Sequence, residues 1–161
     1  MNRYNFFWAQ MISIPFLILF ATFEYVTAIS DPQKSYINKI TPHIIATIDG
    51  WLKAWSSKDI TTYGTYYSQD FRSQTGMDRR SWLRYKNGLN RKYKYIHVTR
   101  NKLVIKRQSK WAIASFVQTY KSDKYKEVGI KTLILTQEDA RWKIYRETWE
   151  KCKRLESKTA C

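Results

Sequence analysis

The segment YYSQDFRSQTGMDRRSW, residues 66–82, decides how the chain is organised. It holds two tyrosines, an isolated acid at Asp70, a lone Gly76, and Asp78 ahead of Arg79, Arg80 and Trp82. Such content suits either a catalytic constellation or a joint between two helices. The local chemistry favours the joint. Asp78 is a good N-cap, because its carboxylate accepts from the free N–H groups of a first helical turn and its charge complements the helix dipole. Met77 before the cap and Trp82 at the fourth helical position have the spacing of a hydrophobic staple. Gly76 supplies the bend. A helix over 78–92 follows, and it draws its outer face from Arg79, Arg80, Arg84, Lys86, Arg91 and Lys92.

Upstream, Thr41 caps a helix whose first position is Pro42, where the missing N–H does no harm. Ile44, Ile45, Ile48, Trp51, Leu52 and Trp55 recur at helical spacing and give it one apolar face. Asp59 caps a second, short helix through Thr62, Tyr63, Tyr66 and Tyr67. Downstream of Lys92 the hydrophobic period changes from 3.6 to 2. Strands are predicted over 93–108, 110–122, 126–137 and 141–150, joined by the short polar connections QSK, SDKY and EDA. Three helices followed by a four-stranded antiparallel meander predict an α+β fold, with the helices packed on one face of a curved sheet.

A chain of 161 residues, 43% hydrophobic and 16% aromatic, suits one domain with a real core and is not the composition of a disordered chain. Its 29 basic and 13 acidic residues leave a net charge of +16, a field that attracts polyanions: nucleic acid, anionic lipid or acidic wall polymers. The N-terminus selects among them. Arg3 precedes an apolar run, Met11 to Phe23, and Val26-Thr27-Ala28 places small residues where signal peptidase requires them. Residues 1–28 therefore read as a signal peptide, with an uncleaved anchor over 6–23 as the alternative. The run is short against the roughly 20 residues of a membrane span, and Ser13 and Pro15 interrupt it. Export implies a periplasmic or envelope-associated location, argues against nucleic acid, and points to wall polymers. An uncleaved N-terminus would add membrane contact. The polar segment 29–41 reads as a linker, 42–150 as the domain, and 151–161 as a basic tail. Cys152 and Cys161 in that tail suit a short-range bridge or two free thiols, and both readings stand.

WLKAWSSKDITTYGTYYSQDFRS, GMDRRSWLRYK and the final RWKIYRETW together resemble a nuclear-transport-factor-2-like domain over about residues 42–150. The subgroup it resembles is the accessory domain found beside L,D-transpeptidase-type peptidoglycan enzymes of bacterial envelopes. The resemblance implies a cone: a strongly bent sheet wrapped around helices, open at one end. It also implies export, and pairing through the outer sheet face would make a homodimer. Those enzymes carry a His and Cys catalytic motif in a separate domain. No such motif occurs in this sequence, so the resemblance does not transfer peptidase activity.

Other relatives of the fold are isomerases, dehydratases and cyclases that use acids, His and Tyr in the cone. The candidates here are Tyr67, Asp70, His97, Tyr145 and Glu147. His97 shares a strand face with Tyr95 and Thr99 and has the right chemistry for a base, but no acid is placed beside it. Asp70 reads more simply as a turn aspartate, the tyrosines as core or rim aromatics, and Glu147 as one half of a cross-strand ion pair. Metal-ligand spacing, a phosphate loop and a Ser-His-acid set are absent, so no cofactor is expected. Binding chemistry is better represented. Arg72, Arg79, Arg80, Arg84, Lys86, Arg91 and Lys92 interleave with aromatics, the pattern that pairs with phosphates or carboxylates and stacks on sugars. The expected role is an exported, non-catalytic domain that binds an anionic envelope polymer or assists a wall-modifying enzyme. The alternative is a small-molecule enzyme of the isomerase, dehydratase or cyclase type.

Overall fold

The computed structural model describes residues 31–108, 110–155 and 158–161, so the expected export signal or anchor at 1–28 lies outside the described residues. The first helix, α1, spans Asp31–Ser56, with Pro42 inside it. It begins at Asp31 rather than at Pro42, and most of the expected linker is helical. Asp31-Pro32 offers the same start chemistry as Thr41-Pro42, a capping residue followed by a pre-set φ. Only one internal hydrogen bond is then lost at Pro42. At its other end, Asp59 N–H donates to the Ala54 carbonyl (3.0 Å) and Lys58 N–H to that of Trp55 (3.1 Å), closing the last turn. Lys58 takes the left-handed φ of 59° that this turn requires. Its Nζ reaches across to the Tyr93 carbonyl at 2.9 Å, tying the end of α1 to the strand entrance.

Asp59 then caps α2, Ile60–Thr65, by accepting from Thr62 N–H at 2.9 Å. The helix stops two residues before the sequence pattern predicts. Tyr67–Ser73 form a strand, β1, instead. Beyond Gly76 (φ 84°), Asp78 accepts from Ser81 N–H at 2.7 Å and starts α3, Arg79–Lys92, as its side-chain chemistry dictates. The remaining long strands are β2 (Ile96–Gln108), β3 (Trp111–Ser122), β4 (Lys126–Glu138) and β5 (Arg141–Lys151). They form the expected antiparallel meander. β1 adds a fifth strand to it, parallel to β5, in the order β1-β5-β4-β3-β2. A parallel partner has no hairpin turn to announce it, which is why the segment reads as a helix end.

The inner face of the sheet carries Ala112, Ala114 and Phe116 from β3 and Leu133 and Leu135 from β4, all buried. Against it lie Ile44, Ile48 and Trp51 of α1, Tyr63 of α2, and Tyr67 and Phe71 of β1. Each large side chain of this kind contributes roughly 1.5–3 kcal/mol by burial. At the C-terminus two short strands, β6 (Lys153–Leu155) and β7 (Lys158–Ala160), pair as a hairpin. A Cys152–Cys161 disulfide closes it, with Cα atoms 5.1 Å apart.

Candidate functional site

One irregularity in β5 builds the site. Leu135 and Ile134, adjacent on β4, pair with Ile144 and Arg146 on β5, so Tyr145 is an extra residue. Up to that bulge Trp142 and Ile144 point inward. Uninterrupted alternation would send Arg146 in and Glu147 out. The bulge reverses the parity, and Glu147 is only 4% exposed. Arg146 is turned outward, where its guanidinium lies 3.9 Å from the centre of the Tyr145 ring and donates to the Asp70 carbonyl at 3.1 Å.

Glu147 Oε2 accepts from the Tyr67 hydroxyl at 3.1 Å. Tyr67 in turn accepts from Trp51 Nε1 at 2.9 Å and lies 2.6 Å from the Tyr63 hydroxyl. Tyr67 has one proton to give, and the carboxylate is the stronger acceptor, which makes Tyr63 the donor between the two phenols. Burial, then the Glu147 charge, hold both phenols well above their ordinary pKa. On β4, Lys131 is 5% exposed and its Nζ lies 3.7 Å from Glu147 Oε1.

The second buried cation overturns an expectation. Lys86, read as part of the outer face of α3, is 5% exposed and points into the cone. Its Nζ lies 3.4 Å from the centre of the Trp55 ring, with the Trp82 and Tyr63 rings at 5.3 and 5.7 Å. The helical period explains this. Trp82, Leu83, Lys86, Leu89 and Asn90 follow i, i+1, i+4, i+7, i+8, the buried stripe of an amphipathic helix. Burial pulls the Lys86 amine down to about 7, Glu147 opposes that fall, and Lys131 adds to it. The ring faces favour the ammonium form.

A cavity of about 130 Å³ opens beside this cluster, lined by Ser73, Gln74, Trp82, Lys131, Glu147 and Trp149 among others. On β3, Gln118 Oε1 is buried with no hydrogen-bond partner among the described residues, and Trp82 Nε1 is buried within reach of the Tyr63 and Tyr67 phenols but without a well-formed hydrogen bond. Gln118 pairs across the sheet with Gly129, whose missing side chain makes room for Trp149. A Cβ at Gly129 would stand 2.5 Å from the Trp149 ring and 2.5 Å from the Glu150 carbonyl. Gly129→Ala is therefore expected to push Trp149 off the wall and to lower the unfolding free energy by about 1–3 kcal/mol, read by urea denaturation followed on tryptophan fluorescence.

Of the five catalytic candidates, only Tyr67 and Glu147 lie in the cone. Asp70 is exposed on β1 and His97 exposed on β2, opposite Lys121. Tyr145 packs against Trp111 at 4.8 Å on the outer side. Tyr67 joins Glu147, but no His/acid/Tyr set assembles. Of the basic residues, Arg72, Arg80, Arg84, Arg91 and Lys92 are exposed. Arg79 is not offered outward as its position implies. It is half-buried, and its guanidinium donates to the Gly64 carbonyl at 2.9 Å. Arg72, Arg79 and Arg80 line an open cleft of about 400 Å³ with Gln69 and Asp78, whose carboxylate is engaged in capping. Lys131, Trp82, Gln118 and Trp149 belong to the site and carried no functional signal in sequence. Among the described residues no group of acids, His and Cys is placed to hold a metal ion, and no helix is long and apolar enough to cross a membrane.

Solved structures share this fold. The Bd1075 protein of Bdellovibrio bacteriovorus superposes with a TM-score of 0.69 at 29% identity, over 76% of this chain and 44% of that one. Pgp2 of Campylobacter jejuni, described as a helical cell shape determining protein, matches as its K307A mutant with a TM-score of 0.59 at 19% identity, over 65% of this chain and 39% of that one. The chain thus spans less than half of either protein. A candidate dehydratase of the NTF2-like family from Streptomyces avermitilis matches at TM-score 0.65 and 10% identity, over 73% of this chain and 99% of that one, a likeness of fold alone. No curated protein matches. The model of the Cds6 C-terminal NTF2-like domain matches residues 43–148, the part of the chain that holds α2, α3, the five-stranded sheet up to Thr148 and most of the cone's polar cluster, and the chain belongs to that family.

Proposed function

We propose that the chain is an exported, non-catalytic accessory domain that binds peptidoglycan or another anionic envelope polymer and so assists a wall-modifying enzyme of the L,D-transpeptidase type. The observation that carries this reading is the polar end of the cone. Glu147 and Lys131 face each other at 3.7 Å beside a cavity lined by the Trp82 indole, whose Nε1 makes no well-formed hydrogen bond. Buried polar groups left without partners mark a place where water or ligand completes the bonding. Stem peptides of the wall present carboxylates and amines together, which suits a site offering one cation and one anion. The exposed Arg72, Arg80 and Arg84 and the +16 charge supply attraction for an anionic polymer. The Cys152–Cys161 disulfide suits an oxidising compartment. The role in cell shape named for Pgp2 is compatible with work on the wall.

Co-sedimentation with purified sacculi at physiological salt tests the proposal. The protein is expected to be retained, and Lys131→Ala to weaken retention about tenfold, the effect of losing one charged hydrogen bond. Arg72→Glu, Arg80→Glu and Arg84→Glu together are expected to weaken it further and to flatten its salt dependence. Retention confined to low salt, or indifferent to Lys131→Ala, would contradict the reading. The isomerase, dehydratase or cyclase reading keeps one observation in its favour, the proximity of Glu147, Tyr67 and the near-neutral Lys86.

A further inference from the structure

We propose that a second cleft, between α1 and the β4–β5 hairpin, binds an acidic saccharide. It encloses about 470 Å³, within the range of small-ligand sites, and is lined chiefly by His43, Tyr66, Gln137, Arg141, Trp142 and Lys143. Lys143 stands about 13 Å along β5 from Glu147, on the hairpin side of the bulge, so the cleft is a separate site. It does not depend on the reading given for the Lys131–Glu147 cavity.

Three basic side chains meet there, and no carboxylate is among the lining residues. His43 comes from α1, while Arg141 and Lys143 come from the start of β5. Lys143 donates to the Thr65 carbonyl at the end of α2, which fixes its ammonium at the wall and leaves it two further protons to give. Burial and then the neighbouring Arg141 disfavour its charge, while Glu138 and Asp139, outside the cleft lining, act in the opposite sense. An anionic group seated between Arg141, Lys143 and His43 would accept charge-assisted hydrogen bonds from the basic lining.

The rest of the lining suits a sugar ring. Tyr66 offers aromatic surface, the buried Trp142 backs the wall, and Gln137 and Thr47 offer polar edges. The Tyr66 ring is fixed in place because Gly50 leaves space for it: a Cβ there would stand 2.1 Å from the Tyr66 hydroxyl oxygen. The lip is held as well. Asp139 and Ala140 both take left-handed φ, 49° and 59°, in the turn that delivers Arg141. Left-handed φ at both central residues is the type I′ geometry of a two-residue hairpin loop, and it fixes where Arg141 starts β5.

The chain has two histidines, His43 in this cleft and His97 on an exposed strand elsewhere, so their imidazole NMR signals separate site binding from general charge attraction. The probes are N-acetylmuramic acid, N-acetylglucosamine 1-phosphate, neutral N-acetylglucosamine and inorganic phosphate, added to the full chain at physiological salt. The expected result is a saturable shift of His43 alone with at least one acidic sugar, weaker or absent with the neutral sugar and with inorganic phosphate. Which acidic sugar binds distinguishes a carboxylate from a phosphate ligand. Arg141→Ala should weaken that binding about tenfold with the His97 signal unchanged, as loss of a charged hydrogen bond predicts. Lys131→Ala should leave it intact, which separates failure of this site from failure of the cone cavity. No His43 shift, an equal shift with inorganic phosphate, or joint movement of His43 and His97 would overturn the proposal.

Discussion

Glu147→Leu is expected to lower the free energy of unfolding at pH 7 by about 3–5 kcal/mol, the range for breaking a buried ion pair from one side. The carboxylate is 4% exposed and carries the Lys131 ammonium at 3.7 Å and the Tyr67 hydroxyl at 3.1 Å. Its removal leaves a buried ammonium and a buried phenol without their charged partner. The loss belongs to the stranded partner more than to the pair itself. Adding Lys131→Met to Glu147→Leu should therefore recover most of the stability, because two well-packed apolar side chains replace a buried pair at little cost. Urea denaturation of the two single variants and the double variant reads this as a double-mutant cycle. Strict additivity would mean that the two side chains do not act on each other.

Lys86→Met should raise stability near neutral pH by a few kcal/mol. In the folded chain burial brings the Lys86 amine to about 7, against 10.5 for the ordinary side chain. Between those two values the unfolded chain binds more protons than the folded one, so this group makes stability rise with pH. Below about 7 both states are protonated and the penalty of burying the charge is complete. Above about 10.5 both are neutral and the penalty is gone. Methionine keeps the volume against Trp55, removes the charge and leaves Glu147 still paired with Lys131. The variant should show a flatter stability profile from pH 7 to 10 than the parent, measured by thermal unfolding at several pH values. An equally steep profile would place the titration elsewhere. A destabilised variant would mean that the contact with the Trp55 ring outweighs the desolvation of the ammonium.

The helices and hairpins were legible because their signals are local. Asp59 and Asp78 cap where their carboxylates predict, and the polar connections QSK, SDKY and EDA mark the three turns of the meander. β1 was not legible, because a parallel strand is recognised by its partner rather than by its own turn. The start of α1 was misplaced because two Pro-containing starts, at Pro32 and Pro42, carry the same signal and only the longer helix forms. The site divides in the same way. Tyr67 and Glu147 stood among the candidates from residue type alone, but their meeting depends on the Tyr145 bulge, which shifts one strand by one residue and leaves no trace in composition. Lys86 had a trace that could have been weighed: it sits four residues after Trp82 and four before Asn90, on the stripe that faces the core. Charge outranked period in that reading, and the period was correct.

The central claim, that the Lys131–Glu147 cavity receives a polar ligand, meets its most direct test in the Trp82 indole. Its Nε1–H is buried within reach of the Tyr63 and Tyr67 phenols but makes no well-formed hydrogen bond, so a ligand that enters the cavity supplies a better acceptor and moves its NMR signal downfield. Titrating the labelled protein with soluble muropeptides that carry the stem peptide should shift Trp82 and Trp149 saturably, and Lys131→Ala should require about tenfold more ligand for the same shift while the chain stays folded. A Trp82 signal that stays fixed, or one that moves equally in Lys131→Ala, would contradict the account.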